Sequence, residues 1–431
     1  MTVTGMKKMD RWSSGDATAT AMVMASGDGT RAPRRASLWL RAGFLLLGIG
    51  LLYPWNAVVN SAGYFRAKFA DEDVAFKLSV AFMVPNLVAL GGMVFGSAYV
   101  KLSVRLLVGF GAYVVLVAIL PLLPALWMVL ADVAVLGLLD AVVQGSVFAL
   151  GAMTGPELME AVMSGVGLAG LVVTMLYMVA LWIASAMGTD AESLAASLFF
   201  STSAMVLAAC VAVTGRATRR AAALRLANSG GSAPVAGHGG LSAMPAWPVV
   251  VRVAGAIRKH AALVFVNFAL TLAMFPGVAL LIKSEHAGLN ACPVAPAECP
   301  AGQGTSAVPI GVWLVFTFMV GDFVGRSLPG WMEASLPDEL LGGAIASRAI
   351  FVPLFVLQVA PRVIASDGVA FCVMAVFAVS NGYCGSLCMI RGPEAARTNA
   401  DKELAGMIMV ASLTSGLTLG VVSGLVIAQF M

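Results

Sequence analysis

The segment 311–331 reads GVWLVFTFMVGDFVGRSLPGW, an apolar run of spanning length that carries a carboxylate, Asp322, and a guanidinium, Arg326. A charge at the centre of a membrane helix costs about 2.5–3.5 kcal/mol on insertion scales, so two in one run need a reason. The i, i+4 spacing sets both on one helical face, with the acid N-terminal to the base. That face is unsuited to lipid and must turn toward a bundle interior or a wet cavity. Two chemistries fit it. One is a structural ion pair that pins helix packing; the other is a polar site at membrane depth that receives a hydrophilic solute. A second polar pair at the same spacing, Asp140 and Gln144, lies in another apolar run.

The elements that position these residues are membrane helices. Hydrophobic residues make up 60% of the chain and charged residues 11%, with a mean hydropathy of +0.92. Soluble chains sit near about 45–50% apolar and about 25% charged. Backbone groups in lipid must be paired internally, so the spans are helical, and continuous apolar runs exclude the alternation of a barrel. The expected fold is an all-α polytopic membrane protein. Runs at 38–62, 76–100, 104–123, 126–151, 159–186, 193–213, 261–283, 309–331, 340–359, 368–390 and 404–430 make eleven transmembrane helices.

Composition divides the chain. Residues 1–36, rich in Ser, Thr, Ala and Gly, read as a disordered cytoplasmic tail. Residues 37–214 form a six-helix bundle, 215–259 a basic cytoplasmic linker, and 260–431 a five-helix bundle with an external loop at 285–308. Most of the 26 Lys and Arg fall on one side: the N-terminal tail, Lys101 and Arg105, the linker, and 391–402. The positive-inside bias therefore sets the N-terminus in the cytoplasm and the C-terminus outside. The 6+5 arrangement is major-facilitator-like, with two bundles rocking about a central cavity. Cys292 and Cys299, in the external loop, allow a disulfide, with two free thiols as the alternative. Cys210, Cys372, Cys384 and Cys388 read as small packing residues within spans.

Several motifs extend along this framework: Pro54-Trp55-Asn56 in the first span, Gln144-Gly145-Ser146 in the fourth, and Met274-Phe275-Pro276 in the seventh. Gly321-Asp322-Phe323-Val324-Gly325-Arg326-Ser327 follows in the eighth, Ser380-Asn381-Gly382-Tyr383 in the tenth, and Glu403-Leu404-Ala405-Gly406 opens the eleventh. In order and spacing the chain resembles the equilibrative nucleoside transporter family over nearly its whole membrane portion. That resemblance implies that Asp322 and Arg326 contact ribose and base, and that Gln144 hydrogen-bonds the base. It also implies that Leu52, Trp55, Met83 and Phe275 wall the site. These roles suit a solute with hydroxyls and a flat aromatic base. Two residues depart from the family pattern. Asp140 stands where glycine is common, and Asn86 where a wall position is often leucine; both are taken as substrate-binding residues here. A membrane-embedded Asp140 either titrates and couples transport to protons or pairs with a donor on a neighbouring helix.

The function implied is facilitative transport of nucleosides, with nucleobases as a further substrate class, by alternating access. The alternative is a proton-coupled symporter of nucleosides or of another small polar solute such as a sugar. An intramembrane enzyme is disfavoured: the spans hold no His/Cys ligand cluster, no Ser-His-Asp set and no phosphate loop. A non-transporting scaffold or receptor is a third class. No cofactor, metal site or nucleic-acid partner is expected, and His238, His260 and His286 are assigned to loops or a helix end. Arg348 reads as structural, paired with Glu333, Asp338 or Glu339. The expected state is a monomer in the plasma membrane, with substrate, lipid and, for a symporter, protons as its partners.

Overall fold

A computed structural model describes residues 36–71, 73–228, 245–286, 289–290, 308–332 and 335–430. Among the described residues every regular element is helical. The elements are α1 (Leu38–Asn60), α2 (Ala62–Phe69), α3 (Val74–Gly96), α4 (Leu102–Ile119), α5 (Leu126–Thr154) and α6 (Pro156–Met187). They continue as α7 (Ala191–Asn228), α8 (Trp247–Met274), α9 (Ile310–Trp331), α10 (Asp338–Ser347), α11 (Phe351–Val359), α12 (Asp367–Glu394) and α13 (Asn399–Gln429). Eleven spans are long and apolar enough to cross a membrane, with α10 and α11 together forming the ninth. The eleven correspond one for one with the apolar runs of the sequence.

Two helices outrun their apolar cores. The stretch 215–259, expected as a linker, is helical up to Asn228 and again from Trp247. Apolar residues stop near Val213, but the Arg- and Ala-rich sequence that follows keeps strong helix formers. His260 consequently lies inside α8, where its Nε2 is 2.7 Å from Asp338 Oδ1, and not at a helix end. Most of the N-terminal tail, the remainder of the linker, the Cys292/Cys299 pair and Glu333 lie outside the described residues.

Local chemistry explains the corners. Ser37 caps α1 by accepting from Leu40 N. Gly155, with φ 119° and ψ 172°, occupies backbone space that side chains avoid and turns α5 directly into α6, whose first residue is Pro156. In the ninth span, Pro353 cannot donate to the carbonyl of Ala349 and its ring crowds that turn. A 3-10 turn, Arg348–Ile350, separates α10 from α11 there.

Small residues let the spans approach closely. Helix α1 packs on α6 through Gly48 and Gly165, and α8 on α13 along Gly416, Gly420 and Gly424. Helices α9 and α12 meet at Gly325 and Gly382: an added Cβ would lie 2.2 Å from Val379 O in the first case and 2.2 Å from Asp322 O in the second. The first six spans meet the last five chiefly where α6 lies on α9 and α5 lies on α13. Arg105 on α4 also pairs with Glu403 on α13, at 2.5 Å.

Since the atoms facing Gly382 are backbone, Gly382→Ala is expected to cost about 1–3 kcal/mol as an overpacked site. Gly91→Ala on α3, where the added carbon meets nothing within 4 Å, should instead be neutral or stabilise by up to about 1 kcal/mol, since alanine is the better helix former. Thermal melts of the two purified variants check the contrast.

Candidate functional site

Asp322 and Arg326 face inward from α9, and each is buried. Arg326 Nε donates to Asp322 Oδ2 at 2.6 Å, and Asn381 Nδ2 on α12 donates to Asp322 Oδ1 at 2.7 Å. The guanidinium lies over the Phe268 ring of α8, 5.6 Å from its centroid. Gly167 on α6 makes room for it, since a Cβ there would come within 2.9 Å of Arg326 Cδ. One residue on, Ser327 Oγ is 3.0 Å from Ser164 Oγ, tying α9 to α6. Among the described residues, Arg326 makes its hydrogen bond through Nε.

Behind the pair runs a polar layer. Asn381 Oδ1 accepts from Asn267 Nδ2 at 2.9 Å and from Thr271 Oγ1 at 2.7 Å, both on α8. Arg348, expected to pair with a carboxylate, instead donates to Asn267, Thr271, Ser380 and the Phe377 carbonyl. Asp338 is held elsewhere, by Lys259, His260 and Arg391. The physical reason is depth: Asp338 opens α10 at the end of its span, whereas Arg348 lies a helix length further in.

On the other side, Gln144 on α5 is buried with its Oε1 3.4 Å from Thr414 Oγ1 on α13. Asp140, one turn earlier, accepts from Asn86 Nδ2 at 2.7 Å and from Tyr113 Oη at 2.7 Å. Asn86 also donates to the Gly137 carbonyl at 3.1 Å. Asp140 is paired with donors on two neighbouring helices. Asp140 and Asn86 thus spend their polar atoms on one another and on Tyr113, joining α3, α4 and α5. Leu52 and Trp55 lie on α1; Trp55 stacks on Phe82 at 4.3 Å between centroids, beside Met83 on α3. Phe275, following α8, stacks on Phe318 at 3.8 Å within a separate apolar cluster. It reaches the pair only through α9, on which Phe318 precedes Asp322 by one turn.

Sequence reasoning missed Asn267, Thr271, Tyr113 and Thr414. The i, i+4 spacing of Asn267 and Thr271 inside an apolar run was the available signal. Among the described residues, Glu285, His286 and Asp367 are close enough to share a cation. The Asp367 carboxylate, however, is already occupied by Ser284 Oγ at 2.6 Å and Glu285 N at 3.1 Å.

A family model described as "Nucleoside transporter" matches residues 130–429. The chain belongs to the nucleoside transporter family. Family members similar to it include human equilibrative nucleoside transporter 1, 27% identical over 90% of this chain and 96% of the relative. Equilibrative nucleotide transporter 8 of Arabidopsis thaliana is 24% identical over 88% of this chain and 92% of the relative. The fold is major-facilitator-like. The proton:xylose symporter XylE superposes with a TM-score of 0.59 at 12% identity, covering 89% of this chain and 87% of that one. The E. coli fucose:proton symporter gives 0.51 at 11% identity, covering 90% of each chain.

Tyr113→Phe removes one of the two side-chain donors to the buried Asp140 carboxylate. Leaving that oxygen unmet is expected to cost about 1–3 kcal/mol, read as a lower melting temperature of the purified protein.

Proposed function

We propose that this protein moves nucleosides across a membrane by alternating access, as a facilitative carrier and not as an enzyme. The observation that carries this reading is the buried pair on α9, with both Asp322 oxygens held, one of them by Arg326 Nε. A carboxylate accepts from sugar hydroxyls, and a guanidinium donates to ring nitrogens and carbonyls. Gln144 on α5, with an amide nitrogen to offer, addresses the base from the first six spans, while Leu52, Trp55 and Met83 supply the apolar wall. Facilitative movement is supported by the equilibrative relatives, which this chain matches over about nine-tenths of its length. Asp140 serves this site by holding α5 in place beside Gln144, and Phe275 by packing behind α9.

The Lys and Arg distribution supports an N-terminus in the cytoplasm and a C-terminus outside. We assign the protein to the plasma membrane as a monomer.

Uptake of labelled adenosine and uridine into proteoliposomes, with and without an inward proton gradient, tests the proposal. Equal uptake in both conditions is expected. Gradient-driven accumulation would replace the facilitative reading with proton symport, and no uptake of either nucleoside by folded protein would overturn the substrate class. Asp322→Ala is expected to lower uptake by at least about tenfold, equivalent to about 1.4 kcal/mol, while the protein still reaches the membrane.

A further inference from the structure

Arg348 is the largest side chain in the described chain that is fully enclosed, at 1% exposure. It sits in the 3-10 turn that interrupts the ninth span, with its guanidinium carbon 4.9 Å from the centre of the Phe377 ring. All its hydrogen-bond partners are neutral. Desolvating a guanidinium without a carboxylate beside it is costly, and an apolar residue would fill the space at no such cost. Packing alone therefore does not account for a cation here.

The direction of the hydrogen bonds does. Arginine only donates, whereas an asparagine amide can face either way. Arg348 Nη1 donates to Asn267 Oδ1, which leaves Asn267 Nδ2 to point at Asn381 Oδ1, 2.9 Å away. Arg348 Nη2 donates to Thr271 Oγ1 at 2.7 Å, and the single Thr271 proton is shared between Asn381 Oδ1 at 2.7 Å and the Asn267 carbonyl at 2.8 Å. With Asn267 Nδ2 on its oxygen, Asn381 presents Nδ2 to Asp322, at 2.7 Å. The chain runs one way, from a cation that must give to a carboxylate that must accept, across the ninth span, α8, α12 and α9.

We infer that Arg348 is a positioning residue for Asp322: through Asn267, Thr271 and Asn381 it fixes which carboxylate oxygen is held by protein and how the remaining lone pairs face the solute. This rests on the reading of Asp322 as a solute-contacting group. Arg326 anchors Oδ2 from the same helix, so the relay from Arg348 is what fixes the carboxylate against rotation from the opposite side. It also ties the site to the break in the ninth span, a place otherwise remote from it.

The test is adenosine and 3′-deoxyadenosine binding to purified, folded protein, comparing the parent with Arg348→Met, Thr271→Val and Asp322→Asn. The expected result for Arg348→Met is adenosine affinity weaker by about tenfold or more. Its preference for adenosine over the 3′-deoxy analogue should also be largely lost; a merely structural role would weaken both ligands alike. Thr271→Val keeps the guanidinium and removes one relay hydroxyl, so it should show the same loss of preference to a smaller degree. It also decides the matter if Arg348→Met does not fold. Asp322→Asn reports on the underlying reading. If it binds adenosine like the parent, Asp322 is not a solute contact. If it loses the preference while Arg348→Met or, where that variant is unfolded, Thr271→Val retains it, the positioning role of Arg348 is overturned.

Discussion

A carboxylate enclosed among membrane helices has to find all its hydrogen-bond donors in the protein, and this requirement at Asp322 organises the second part of the bundle. One oxygen is met by Arg326 on the same helix and the other by Asn381 on α12. Asn381 could not reach if α9 and α12 were spaced by ordinary side chains. Their glycines bring the backbones together, and the polar atoms come into register as a result. Electrostatic demand and close packing are thus one constraint: the low-dielectric setting that makes an unmet charge expensive also makes each fulfilled bond count.

The first part of the bundle meets the same demand with neutral donors. Asp140 is bracketed by Asn86 and Tyr113 from two other helices, without a cation. Both carboxylates have one donor on each oxygen, but only the pair on α9 includes a cation. Two acids at the same spacing from a polar neighbour, Asp140 with Gln144 and Asp322 with Arg326, thus sit in different surroundings.

Much of this was legible in the sequence. Every span could be read because lipid permits so few ways of arranging a backbone, and length with hydropathy is enough to find them. Asp322 and Arg326 were legible because charge in an apolar run is rare. The polar layer behind them was not. Asn267 and Asn381 are 114 positions apart and Arg348 lies 81 from Asn267, and nothing local in any of them indicates which face will meet which. Arg348 was assigned to nearby acids because proximity along the chain suggested it; the three-dimensional answer depended on depth. The helical ends of α7 and α8 were hidden for another reason: charge marks where the membrane stops, and a helix can continue past that point.

The turn at Gly155 has a mechanical consequence. Helix α6 rests on α9 beside Arg326, and α5 rests on α13 beside Gln144, so each of the two seams between the first six spans and the last five is edged by one of these neighbours. A single residue joins α5 to α6, a corner with no slack to absorb a shift. A tilt of α5 is therefore passed directly to α6, with no loop between them to take it up.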